Sequence, residues 1–129
     1  MKNIKIGIGL VGLGTVGRGT LSLLLNERTR ILRNTGIDCR VVKIAEISET
    51  AIRKSGIKRS FFTRDWREVV SHPGVDIVVE LIGGTGLALD VITAALKNRK
   101  HVVTANKALL AVKGDRIFPL ARRMGRVVG

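Results

Sequence analysis

Positions 4–11 form an apolar run, interrupted by Lys5 and two glycines, that predicts a buried strand. The period then changes. Leu21, Leu24, Leu25, Ile31 and Leu32 fall at helical spacing and predict one helix over 16–33. Asn34-Thr35-Gly36 ends it, with Gly36 suited to a left-handed C-cap. A second apolar run predicts a strand over 41–47, followed by a short helix over 51–58 and a short strand over 60–63. Asp65 and Glu68 stand at capping-box spacing before Val69-Val70, and Trp66 would help pack that short helix on the sheet. His72-Pro73-Gly74 stops it. A fourth strand covers 76–82, apolar except for Glu80, and Gly83-Gly84-Thr85-Gly86 breaks it. Leu89, Ile92, Ala95 and Leu96 line one side of a helix over 87–98, and 101–104 reads as a fifth strand. Two further helices are predicted over 107–112 and 115–124, with Pro119 in the first turn of the second or kinking it. Gly125 ends that helix, and 126–128 reads as the start of a sixth strand.

Strands that alternate with helices throughout predict an α/β fold: a doubly wound parallel sheet of about six strands, ordered 3-2-1-4-5-6, with helices on both faces. Gly12-Leu13-Gly14-Thr15-Val16-Gly17 lies between the first strand and the first helix. A GxGxxG in isolation is a weak signal; between a buried strand and an amphipathic helix it is the Rossmann dinucleotide fingerprint. Gly12 allows the tight turn. Gly14 lets the backbone approach a pyrophosphate, and Gly17 lets the helix pack close to the strand. Thr15 and Val16 offer backbone N–H groups at the positive end of the helix.

Glu46 lies near the end of the second strand, where an acidic residue accepts hydrogen bonds from the adenine ribose. It stands further from Gly17 than in the ordinary fingerprint, and the alternative is a solvated strand-end carboxylate. A carboxylate there repels a 2′-phosphate and leans the choice to NAD over NADP; Arg53 or Lys43 within reach would lean it the other way. Gly83 and Gly84 follow the fourth strand at the edge where open sheets bind ligands, or else form a plain strand-to-helix turn. Glu80 either faces that crevice or pairs with a nearby basic side chain.

The chain of 129 residues is long enough for one domain with a core, spanning 1–129. No apolar run approaches the length of a bilayer-spanning helix. Met1-Lys2-Asn3 leads straight into a strand with no cleavage-site pattern, and Cys39 is the single cysteine, so a cytoplasmic location is expected. The formal charge of +13 raises nucleic acid as a partner. Its cations are spread along the chain, aromatics are only 3% and tyrosine is absent, so solvated helix faces explain the charge better. His72 and His101 are not at ligand spacing with each other or with Cys39, and no metal is expected.

Three segments resemble the homoserine dehydrogenases: residues 8–17, residues 76–84 and residues 101–111 (His-Val-Val-Thr-Ala-Asn-Lys-Ala-Leu-Leu-Ala). The first is shared by many nucleotide-binding proteins; the other two, at this spacing and order, are far more specific. The resemblance spans essentially the whole chain but only the family's N-terminal part. It implies hydride transfer between a nicotinamide cofactor, NAD or NADP, and aspartate semialdehyde or homoserine. It also implies a following substrate and dimerisation domain with no counterpart here, so that the chain is a cofactor-binding part, inactive alone, of a protein that forms homo-oligomers. The resemblance places Thr104, Ala105 and Asn106 beside the nicotinamide and gives Lys107 a catalytic role near substrate. That role makes chemical sense, because an ammonium can stabilise or protonate the oxygen of a carbonyl undergoing reduction. Without the resemblance, Lys107 reads as a surface lysine. The other readings are the cofactor domain of another amino-acid or sugar dehydrogenase, and a free-standing dinucleotide-sensing regulatory module. For the latter, no helix-turn-helix or zinc-finger pattern is present.

Overall fold

The computed structural model describes residues 3–84 and 86–129. Met1, Lys2 and Thr85 lie outside the described residues, and with them the predicted N-terminal lead-in and one position of the predicted break after the fourth strand. Five parallel strands form one sheet in the order β3-β2-β1-β4-β5. They are β1 (Ile4–Val11), β2 (Ile37–Ala45), β3 (Phe62–Thr63), β4 (Ile77–Glu80) and β5 (His101–Thr104). The helices are α1 (Thr15–Asn26), α2 (Arg28–Thr35), α3 (Glu49–Ser55), α4 (Arg67–Val70), α5 (Gly86–Lys97) and α6 (Lys107–Met124). The α/β doubly wound fold is the one predicted. The sixth strand is reduced to a single parallel bridge between Val102 and Val128, beside β5.

The two faces of the sheet bury separate clusters. On one, Val78 and Val102 pack with Val91, Ile92, Ala95 and Leu96 of α5 and with Leu109, Ile117 and Leu120 of α6. On the other, Ile8, Leu10, Ile44 and Val79 pack with Leu13 and Leu21. Alternation along each strand sends neighbouring residues to opposite faces, which is why the near-continuous apolar runs fill both clusters. Burying a Leu10 or Ile44 side chain fully contributes about 1.5–3 kcal/mol, and both are inaccessible to solvent.

Several boundaries differ from the sequence reading. The helix predicted over 16–33 is two helices. Glu27 closes α1 through its N–H to the Leu23 carbonyl, and its own carbonyl accepts from Ile31 N to start α2. The bend lays α2 along β2, where the Arg28 guanidinium donates to Asp38 at 2.6 Å. Conversely, the two helices predicted over 107–112 and 115–124 are one. Leu109, Ile117, Leu120 and Ala121 bury a continuous face, and Gly114 leaves room for the Phe118 ring one turn on. Pro119 sits inside the helix, and the carbonyl it leaves without a donor belongs to exposed Asp115.

The predicted capping box does not form. The Asp65 carboxylate accepts from Arg67 N at 3.0 Å, two residues on, and Glu68 accepts instead from the Thr63 hydroxyl. The helix therefore starts at Arg67, with Trp66 at its N-cap. β2 begins at Ile37 rather than 41 because Ile4 to Ile8 of β1 offer partners from there on; its polar Asp38 is buried but paired with Arg28 and Arg40. β4 spans fewer residues than 76–82; Asp76 and Leu81 still bond to β1, through Gly7 and Val11, but lie outside the strand. β3 pairs only Phe62 and Thr63, with Ile44 and Ala45 of β2. Gly36 takes the predicted left-handed conformation, φ 74°.

Candidate functional site

All five strands end at one edge, and the strand order reverses between β1 and β4, whose following helices lie on opposite faces. A crevice opens there in any such sheet. The glycine turn leaves the end of β1 at this point. Gly12 has φ +100°, a conformation that side chains resist, and its N–H donates to the Ala45 carbonyl at 3.0 Å. Gly17 is buried; a Cβ on it would stand 2.4 Å from the Gly12 carbonyl oxygen. Gly14 is different. Its backbone is extended, a shape any residue adopts, and a Cβ there would meet nothing within 4 Å. Open space over Gly14, rather than conformation, is therefore what a side chain would take away.

Gly14 is the N-cap of α1, and among the described residues no side chain caps that helix or places an acid in its first turn. Thr15 and Val16 are exposed there. By contrast, Ser48 caps α3 through Ala51 N, and Asn106 caps α6 through Leu109 N. The positive end of α1 is thus left open to an anion, beside a stretch of backbone without side chains.

Glu46 is half-buried and spends both oxygens on backbone. Oε1 accepts from Leu13 N at 2.6 Å, and Oε2 accepts from Ser48 N at 2.9 Å. The carboxylate thus ties the glycine turn to the loop after β2. It also lines a hollow of about 110 Å³ with Val11, Gly12, Ile47, Arg64 and Trp66. Lys43 is not at this hollow, its ammonium being bound to the Ser60 carbonyl at 3.2 Å, and Arg53 does not line it either. The basic group there is Arg64, whose guanidinium also lies 3.4 Å from a Glu49 oxygen.

On the other side of the turn, a hollow of about 250 Å³ brings together Val16, Glu80, Ile82, Gly83, Gly84, Ala105 and Asn106. Ile82 lines both hollows, which lie on either side of the glycine turn. Glu80 is fully buried, and its Oε1 accepts from Ile82 N at 2.6 Å while Oε2 accepts from the Thr104 hydroxyl at 2.5 Å. The Thr104 hydroxyl in turn accepts from Asn106 N at 3.0 Å, and the Asn106 side-chain amide donates to the Gly84 carbonyl. Lys107 is the first residue of α6; it is exposed and does not line the hollow.

Of the residues singled out in the sequence, Val16, Gly83, Gly84, Ala105 and Asn106 share one hollow, and Gly12 and Glu46 share the other. Thr104 lies behind the first, joined to it through Glu80. Arg64 and Trp66 as lining residues, and the bonding of Glu80 to Ile82 and Thr104, could not be anticipated from the sequence. A carboxylate in an apolar strand was a visible signal at Glu80, whereas nothing local distinguishes Arg64 from the other cations.

A larger hollow, about 500 Å³, lies elsewhere, between Leu24, Cys39, Arg40, Ile57 and Phe61, and touches none of the turn. The shifted titrating groups also lie off the crevice. Hydrogen bonds from Arg28 and Arg40 hold the Asp38 carboxyl well below the usual carboxylate range, and burial pushes the Lys100 ammonium down.

Comparison with known proteins agrees with this geometry. A family model described as "Homoserine dehydrogenase, NAD binding domain" matches residues 12–128. The chain is 42% identical over 123 residues to a homoserine dehydrogenase of Neisseria gonorrhoeae, covering 95% of this chain and 28% of that protein. It is 44% identical over 128 residues to that of Pseudomonas aeruginosa, covering 99% and 29%. The crystal structure of a homoserine dehydrogenase from Thiobacillus denitrificans superposes with a TM-score of 0.90 at 40% identity, over 99% of this chain and 30% of that one. The chain thus spans less than a third of these relatives, and it belongs to the family of homoserine dehydrogenase NAD-binding domains.

Proposed function

We propose that this chain holds NAD or NADP along the crevice and serves as the cofactor domain of a homoserine dehydrogenase. The pyrophosphate would lie over Gly14, against the N–H groups of Thr15, Val16 and Gly17. The adenosine would extend past Gly12 toward Glu46 and Arg64, and the nicotinamide toward Gly83, Gly84, Thr104, Ala105 and Asn106. The observation that carries this reading is the uncapped start of α1 behind a glycine with open space above it, at the reversal of strand order. The residues fit a dinucleotide: bare backbone where phosphates need close approach, and a hollow on either side.

When bound, the nicotinamide would supply a hydride to the aldehyde carbon of aspartate semialdehyde, or accept one from the corresponding alcohol carbon of homoserine. Lys107, exposed beside Asn106, would donate to the substrate oxygen as charge develops on it. The substrate pocket and the homo-oligomer interface would come from the part of the relatives' length that this chain does not span, and the protein would work in the cytoplasm. The Glu46 carboxylate on the adenosine side favours NAD over NADP, with Arg64 as the nearest cation for a 2′-phosphate.

Thermal unfolding with NAD, with NADP and with neither tests this. A ligand at a hundred times its Kd adds about 2.7 kcal/mol of stability, a shift of several degrees for a domain of this size. The expected result is a shift with both, larger with NAD. A larger shift with NADP would overturn the Glu46 preference, and no shift with either would overturn the binding role.

A further inference from the structure

We propose that Glu80 is a positioning residue for the nicotinamide half of the crevice, fixing its width by clamping the loop after β4 to the loop after β5. The inference rests on the dinucleotide reading above. Glu80 has no solvent exposure, yet it lines the hollow from beneath. A buried carboxylate is costly unless its oxygens are bonded, and Glu80 spends them on two different loops. Ile82 N belongs to the segment leading to Gly83 and Gly84; the Thr104 hydroxyl belongs to the segment leading to Ala105 and Asn106.

The connection continues without a gap. Thr104 donates its one hydroxyl proton to Glu80, which leaves its oxygen free to accept from Asn106 N. Asn106 then uses both ends of its amide: its oxygen caps α6, and its nitrogen reaches back across the opening to the Gly84 carbonyl. A closed circuit thus runs from Glu80 through Thr104 and Asn106 to Gly84 and back along the β4 loop. Among the described residues no basic side chain bonds to Glu80; its partners are a backbone N–H and a hydroxyl. The adenosine side is built independently, around Glu46, Leu13 and Ser48. Loosening the Glu80 clamp therefore separates the two halves of the ligand.

The test compares NAD with ADP-ribose, which lacks the nicotinamide, on the chain as it stands. Thr104→Val keeps the shape and removes the hydroxyl; Glu80→Gln keeps the shape but replaces a charged acceptor with a neutral amide, whose oxygen can take Ile82 N only if its nitrogen donates to the Thr104 oxygen and turns the hydroxyl proton out of the circuit. Each is expected to weaken NAD about tenfold and ADP-ribose less than about twofold. Thr104→Ser, which restores the hydroxyl, should recover NAD affinity. In the ligand-free chain, hydrogen exchange at the Ile82 amide should speed up in Glu80→Gln. Equal weakening of both ligands, or no weakening of either, overturns the positioning role, as does a wild-type chain that binds NAD no better than ADP-ribose. A wild-type chain that binds neither overturns the dinucleotide reading and the positioning role with it, while the Ile82 exchange still reports whether the clamp exists. If Glu80→Gln fails to fold, the Thr104 pair decides.

Discussion

Two acids close the two ends of the crevice, and they do it differently. Glu46 follows β2 and holds two backbone N–H groups, those of Leu13 and Ser48. Glu80 ends β4 and holds one backbone N–H and one hydroxyl, the latter continuing into a chain of side chains. On the β1–β2 side the ligand-facing surface is backbone, shaped by glycine. On the β4–β5 side it is shaped by side chains that bridge loops. On the dinucleotide reading proposed above, the first design would take any pyrophosphate and the second would hold a particular ring in place. Substitutions should therefore separate fold, affinity and alignment according to the side they strike.

The largest effect is expected at Gly17. A valine there pushes a Cβ to within 2.4 Å of the Gly12 carbonyl oxygen, and two backbones must part. Stability should fall by about 1–3 kcal/mol or more, with binding lost too, as seen by urea unfolding. Gly14→Val should instead leave the unfolding temperature within about 2 °C of wild type while NAD affinity drops at least about a hundredfold, because its Cβ enters empty space that the phosphates need. If Gly14→Val unfolds the domain, open space is not what that glycine provides.

Glu46→Ala leaves the N–H of buried Leu13 without its partner, a cost of about 1–3 kcal/mol in the ligand-free chain. Were Glu46 purely a ribose ligand, stability would stay constant and only affinity would change, so calorimetry without ligand sharpens the contrast between the two acids. The smallest effect concerns Asp38, remote from the crevice. Arg28 and Arg40 depress its pKa, so its contribution is complete above the ordinary carboxylate range and is lost as pH falls below it. The gap in unfolding temperature between wild type and Asp38→Asn should be flat from about pH 8 to 5 and shrink below about pH 4.

Much of this was legible along the chain. β1 and β5 have the predicted ends because apolar runs bounded by glycine or polar residues are local signals. The break at Glu27 was not legible, since a helical period continues unchanged across a bend. The continuity of α6 was hidden by Gly114 and Pro119, two residues that usually end helices but here are offset by a buried face. The crevice residues of the glycine turn and of Gly83-Gly84 could be placed from spacing. The circuit behind them could not, because Glu80 and Thr104 meet across 24 positions of sequence and only the register of β4 on β5 brings them together.

β3 is two residues long and shields only the last part of β2. Among the described residues no strand pairs with the outer rim of β2 before Ile44, and such a rim is a template on which another copy could add a strand. Arg40 and Lys43 stand on that stretch with Arg28 beside it, against the single carboxylate of Asp38, so the rim keeps a positive balance on a chain whose formal charge is +13. Two such rims repel one another before their amides can align. The cations that look like surplus in the composition thus act against self-association, and this chain should become less soluble as salt screens them.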